Sequence, residues 1–132
     1  MGLTYLIHSL TDGHFNITLS MIDRDFEKKW KELKNKIDLD FGGDLDVQGI
    51  LFLIGVQELG KGPQEFTKDQ KLDVIHIAIC RILEPFGFYK LSHSDLDGWP
   101  YYESIKPLPN LKSGEQLKLM KQGILEYFGK VY

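Results

Sequence analysis

The residues whose types and spacing could do chemistry lie between positions 73 and 80. Asp73, His76 and Cys80 are three and four residues apart, so on a helix their side chains share one side and can reach one another. If that side faces the end of a preceding helix, Glu58 joins Asp73 and His76 to give two carboxylates and one imidazole. Such a set suits a divalent metal ion with open coordination positions, or an acid and base pair. Glu58, Asp73 and His76 are therefore the candidate catalytic and metal-binding residues, with a divalent metal as the candidate cofactor.

A simpler interpretation of the same residues is that they form the solvated polar side of a helix. Glu58 is the unusual one, because it lies near the end of an apolar segment, where an unpaired carboxylate would be costly to bury. A salt bridge to Lys61 or Arg81, or exposure in the last helical turn, explains Glu58 without catalysis. The sequence leaves both interpretations open.

A second candidate site is an acidic and aromatic segment further along the chain. Asp95-Leu-Asp97-Gly98 has a turn composition and separates two apolar and aromatic stretches. Trp99, Tyr101 and Tyr102 follow it and could form a binding surface, while either aspartate could reach the candidate catalytic set. The alternative is a tight turn with Trp99 packed on the core.

Four predicted helices would position these residues. Apolar side chains recur at helical spacing over Ser20–Ile37, Lys68–Leu83 and Ser113–Phe128. The segment Asp46–Leu59 is apolar on almost every side, which predicts a buried central helix whose Gly49 and Gly55 let neighbours approach. A buried strand over Ile50–Val56 is the competing interpretation, because a short apolar run does not fix the period.

The ends and faces of these helices are also predicted from the sequence. Ser20 and the pair Thr67 and Gln70 match capping patterns, Pro85 and Gly87 end the third helix, and Gly129 is a C-cap for the last. The third helix divides into an apolar and a polar side. The apolar side is predicted to hold Leu72, Ile75, Ala78, Ile79, Ile82 and Leu83, and the polar side Asp69, Asp73, His76, Cys80 and Glu84.

The predicted fold class is mainly α: a bundle of about four helices in a single domain, residues 1–132, with a small β hairpin. The hairpin strands are expected at Phe88–Leu91 and Tyr101–Ile105, around the Asp95 turn. The alternative is an α+β fold with a larger β part, which adds a second hairpin around Thr11-Asp12-Gly13 in the first eighteen residues.

Composition narrows the classes of protein that the chain can belong to. Hydrophobic residues make up 42% of the chain and charged residues 27%, a balance that is typical of a globular protein. We expect no membrane-spanning segment, because no apolar run in the sequence is long enough to cross a bilayer. The net charge of -3 argues against general nucleic-acid binding, although a lysine-rich first helix keeps that hypothesis testable. Cys80 is the sole cysteine, so we expect no disulfide, no cysteine-rich zinc site and a cytoplasmic location.

Two functional hypotheses follow from different classes of protein. The leading one is a non-enzymatic interaction or scaffold domain that self-associates as a homodimer or binds a protein partner. It rests on the high apolar and aromatic content, including the C-terminal Tyr127, Phe128, Val131 and Tyr132. The alternative is a small metal-dependent or acid/base enzyme that uses Glu58, Asp73 and His76. Phosphate-binding loops, nucleophile elbows and two-histidine zinc motifs are absent from the sequence, which lowers the expectation of common enzymes.

Overall fold

A computed structural model describes the backbone of residues 13–62 and 64–131, and the side chains of residues 24–62 and 64–129. The chain divides into two compact units, Met1–Gly43 and Asp44–Tyr132, each of which is described by itself. Within the described ranges there are four helices and one two-stranded antiparallel hairpin, which confirms the mainly α class with a small β hairpin. The prediction of a single domain stays a prediction.

The described part of the first unit is one long helix, α1, over Gly13–Phe41. It begins before Ser20, so the start predicted there was wrong, and it continues beyond Ile37. The predicted apolar stripe is confirmed where side chains are described, with Phe26, Trp30 and Ile37 buried. A hairpin in the first eighteen residues was wrong from Gly13 onward, and Thr11 and Asp12 lie outside the described residues.

The second unit begins with α2, Val47–Leu59, which settles the choice between helix and strand. The Asp46 carboxylate accepts a hydrogen bond from the amide of Gly49 at 2.8 Å and so caps the helix start. Gly60 ends the helix in the left-handed conformation, with a φ of 66°. A strand over Ile50–Val56 was therefore wrong, because these local caps close both ends of a helical segment.

Helix α3, Lys68–Leu83, lies at the centre of the second unit. It contacts α2, both strands and the last helix, so the prediction that the second helix is central was wrong. Thr67 and Gln70 form the predicted capping box, with both reciprocal hydrogen bonds present. A side-chain Cβ at Gly55 would overlap the carbonyl of Val74, so the predicted close approach to α2 is confirmed at this glycine.

The predicted division of α3 into one apolar and one polar side was partly wrong. Leu72 is 60% exposed although it was assigned to the core, and Cys80 is fully buried although it was assigned to the polar side. The reason is that neighbours pack on several sides of α3, so burial does not follow a single stripe. Its buried residues are Val74, Ile77, Ala78, Cys80, Ile82 and Leu83.

A hairpin and a final helix complete the second unit. Strand β1 is Tyr89–Ser94 and strand β2 is Pro100–Ser104, with a bulge in β1 between Leu91 and His93. Helix α4, Ser113–Val131, runs past Gly129, so the C-cap predicted there was wrong. No helix in the described ranges combines the length and the apolar character that crossing a bilayer requires.

Candidate functional site

The three predicted catalytic or metal-binding residues occupy different surroundings. Asp73 and His76 are both exposed on α3, and the contacts of His76 are with Cys80 and Tyr89. The His76 Nε2 atom lies 3.5 Å from the Cys80 Sγ atom, one helical turn away. Among the described residues, no three histidine, cysteine, aspartate or glutamate side chains are placed to hold a metal ion.

Cys80 is held as a neutral thiol. Its side chain is fully buried, and desolvation raises the pKa of the thiol to about 11 because a thiolate would lose its hydration. A cysteine nucleophile or metal ligand acts as the thiolate. Cys80 therefore serves as a packing residue of the helical core.

Glu58 has two partners that occupy both of its carboxylate oxygens. Arg81 Nε donates to Glu58 Oε1 at 3.1 Å, and the Tyr127 hydroxyl donates to Glu58 Oε2 at 2.8 Å. The predicted salt bridge to Arg81 is confirmed. The carboxylate thus connects α2, α3 and α4 through one hydrogen bond from a charged donor and one from a neutral donor.

Arg81 also lies near Glu84, whose carboxylate accepts a hydrogen bond from the hairpin. Its Nη1 atom lies 3.8 Å from Glu84 Oε1, and the other oxygen of Glu84 accepts a hydrogen bond from the amide of Leu91 at 3.2 Å. Arg81 also lies over the ring of Tyr127, 5.4 Å from its centroid. We call Glu58, Arg81, Glu84 and Tyr127 the junction cluster.

Two tyrosines at this junction favour their neutral form. Burial, followed by the charges of Glu84 and Glu58, raises the pKa of Tyr102 to about 12. Burial and the hydrogen bond to Glu58 raise the pKa of Tyr127 above its ordinary value. Neither phenol is prepared to act as a base near neutral pH.

Hydrogen bonds to the Asp95 side chain fix the turn between the strands. Asp95 Oδ1 accepts hydrogen bonds from the amides of Asp97 and Trp99, both at 2.9 Å, and Gly98 has a φ of 85°. Trp99 packs against the core cluster of Leu59, Val74 and Ile77. The interpretation of this segment as a tight turn with a packed tryptophan is thereby confirmed.

The predicted aromatic binding residues divide between the two faces of the hairpin. Tyr102 packs with Trp99 against the core cluster, whereas Tyr101 is 51% exposed and stacks on His93 with ring centroids 5.0 Å apart. Several other large apolar side chains around the hairpin also meet solvent. Together with Tyr101 we call these exposed side chains, which lie on both faces of the hairpin and in its flanking segments, the hairpin surface: Leu91, Leu96, Tyr101, Ile105 and Leu108.

No protein-family model, curated protein or solved structure matches the chain. The site must therefore be interpreted from its own contacts.

The second unit offers little space for a substrate beside the junction cluster. A depression next to Arg81 and Tyr127, also lined by Pro85 and Gly123, is too shallow to enclose a water molecule. Sequence reasoning missed Tyr127 and Glu84 as partners in the cluster and four members of the hairpin surface. For Leu96 a signal did exist, since a leucine between two turn-forming aspartates has few neighbours that could cover it.

Proposed function

We propose that this protein is a non-enzymatic interaction domain that associates with a second copy of itself. The observation that carries the proposal is the exposure of the hairpin surface. Of the nine large hydrophobic side chains that are exposed in the described part of the chain, five lie between Leu91 and Leu108. Apolar groups concentrated on one small element favour association, because burying them removes apolar area from water at about 25 cal/mol per Å².

Among the described residues, the exposed apolar side chains that favour self-association lie on the hairpin and not at the C-terminus. Tyr127, Phe128, Val131 and Tyr132 were not all expected to fit one core. Tyr127 and Phe128 are nevertheless only 4% and 8% exposed, and the side chains of Val131 and Tyr132 lie outside the described residues. The rings of Tyr127 and Phe128 stack edge to face with each other, and Tyr127 belongs to the junction cluster. The exposed apolar area to be covered is instead that of Leu96, Tyr101 and Ile105.

The geometry around Glu58 supports a binding role in preference to catalysis. A general base or metal ligand directs its carboxylate at a substrate or an ion rather than at donors of its own protein. Both oxygens of Glu58 already accept hydrogen bonds from Arg81 and Tyr127. The buried, neutral thiol of Cys80 also fits a reducing compartment, and we include a cytoplasmic location in the proposal.

Light scattering and sedimentation over a range of protein concentrations test the proposed self-association. We expect a dimer that dissociates on dilution, and Ile105→Ser should weaken it because the substitution removes an exposed apolar side chain of the hairpin surface. Leu72→Ser is the matched control, since Leu72 is exposed to a similar degree on α3. A wild-type monomer at the highest concentration would refute the proposal.

A further inference from the structure

The two edges of the hairpin differ in how their backbone groups are satisfied. In an antiparallel pair, residues alternate between those that bond to the partner strand and those whose amides point away from it. The amide of Leu91 points away from β2 and donates to the carboxylate of Glu84. This outward amide of β1 is therefore bonded to the side chain of Glu84, the residue that follows α3.

The same alternation identifies the outward groups of β2. Leu91 is opposite Tyr102, and Tyr89 is opposite Ser104, so the amides of Tyr102 and Ser104 point away from β1. Consistent with this alternation, the amide of Ile105 turns inward and donates to the carbonyl of Phe88 at 2.9 Å. Within the described ranges, no side chain bonds to the outward amides of Tyr102 and Ser104 as Glu84 bonds to that of Leu91.

We propose that β2 pairs antiparallel with β2 of a second copy, about a two-fold axis at Tyr102. This inference rests on the proposed self-association and specifies its geometry. The two hairpins then form one four-stranded sheet with the strand order β1, β2, β2, β1. An open strand edge is a ready template for such pairing, and two identical edges satisfy a two-fold axis with one contact surface.

The positions of the amides and of proline favour this register. With Tyr102 opposite Tyr102, each Tyr102 amide donates to the Tyr102 carbonyl of the other copy. Each Ser104 amide then meets the carbonyl of Pro100, which has no amide of its own to satisfy. All outward amides of β2 are thereby used. A register centred on Ser104 would require pairing beyond Ser104, where β2 ends.

Avoidance of like charges favours the same register. A two-fold axis at Glu103 would place two carboxylates directly opposite each other, which is destabilising. With the axis at Tyr102, Glu103 lies between Lys90 of its own hairpin and Tyr101 of the second copy, whose ring stacks on His93. On the other face, Tyr102 meets Tyr102, which extends an apolar row that Leu91 begins.

Two substitutions at Tyr101 test the register with opposite expected results. Tyr101→Glu places a carboxylate opposite Glu103 of the second copy, twice by symmetry, so we expect the dissociation constant to rise roughly 10-fold. Tyr101→Lys is the matched variant and should keep or tighten the dimer, because the new ammonium faces the same carboxylate. Sedimentation equilibrium measures both constants, and circular dichroism verifies that both variants are folded.

Hydrogen exchange of the wild-type protein tests the pairing without any substitution. The amides of Tyr102 and Ser104 should exchange at least about 10-fold more slowly at concentrations where the dimer forms than in the dilute monomer, since pairing closes the β2 edge. The Leu91 amide serves as the internal control, because it is bonded to Glu84 in both states.

The outcomes separate this inference from the proposed function. A monomer at every concentration overturns both. A dimer that responds equally to Tyr101→Glu and Tyr101→Lys, or that leaves the Tyr102 and Ser104 amides unprotected, overturns the β2 pairing and leaves self-association through another surface. A dimer weakened by Tyr101→Glu alone, with both amides protected, supports the register.

Discussion

Among single residues, Arg81 is the common partner of the acidic side chains Glu58 and Glu84. Its guanidinium bonds to Glu58 and lies near Glu84, and these two carboxylates reach α4 and β1 in turn. All of these groups are only partly exposed, so removing one would leave a charged neighbour poorly solvated. Glu58, the residue that first suggested catalysis, is therefore a structural connection between three helices.

The thiol of Cys80 should be unreactive while the protein is folded. Its thiol is fully buried, and desolvation raises its pKa to about 11 from 9.0, so at pH 8 the thiolate population falls roughly 100-fold. We expect Ellman's reagent to react with the folded protein at least about 100-fold more slowly than with the urea-unfolded chain. Rapid labelling under native conditions would show that the helices do not enclose Cys80 as described.

At the scale of elements, the hairpin has one face on the core and the other in solvent. Trp99 and Tyr102 pack against Leu59, Val74 and Ile77, while Tyr101 on the opposite face stacks only on His93. Asp95 fixes the turn through two backbone hydrogen bonds. These contacts fix the position of the hairpin on the core, as the proposed pairing of β2 requires.

The contact of α2 with α3 leaves no room for a side chain at Gly55. A Cβ at Gly55 would overlap the backbone carbonyl of Val74, which cannot move without shifting α3. Gly55→Ala should therefore lower the free energy of unfolding by about 2–3 kcal/mol, as overpacking does. Urea denaturation measures the change.

The control for this substitution is another glycine in a helix. A Cβ at Gly114, near the start of α4, would meet nothing within 4 Å. Gly114→Ala should leave stability unchanged or raise it by about 0.5–1 kcal/mol, because alanine loses less backbone entropy on folding. Equal effects of the two substitutions would contradict the close approach of α2 and α3.

At the scale of the whole molecule, the raised tyrosine pKa values link stability to alkaline pH. The pKa of Tyr102 rises to about 12 from 10.0, and that of Tyr127 is also raised, so the folded state holds both protons more tightly than the unfolded chain. The resulting stabilisation is complete below pH 10 and is lost as the pH rises through 12. Urea unfolding from pH 9 to 12 should show this decline.

Tyr127→Phe separates the contribution of one phenol from general alkaline unfolding. It should cost about 1 kcal/mol near neutral pH, because Glu58 loses a hydrogen bond, and should flatten the decline above pH 10. Tyr101→Phe is the control, since it removes the hydroxyl of an exposed tyrosine that takes no part in the junction cluster. If both variants gave the wild-type profile, Tyr127 would not carry the linkage.

The sequence by itself predicted α1, α3, α4 and the hairpin, because their signals are local, but it left α2 open between a helix and a strand. The capping box of Thr67 and Gln70 and the turn at Asp95 involve residues at most four positions apart. Even so, α1 and α4 extend past the predicted Ser20 and Gly129 boundaries, since capping residues are also tolerated inside a helix.

Only the tertiary structure decided which chemical groups meet. Glu58 and Tyr127 are 69 positions apart, and nothing in the local pattern of either residue indicates the other. The burial of Cys80 and the exposure of Leu72 likewise depend on neighbours around α3 that helical periodicity cannot place. Side-chain chemistry depends on the atoms nearby in space, and it is long-range packing that brought Glu58 to Arg81 and Tyr127.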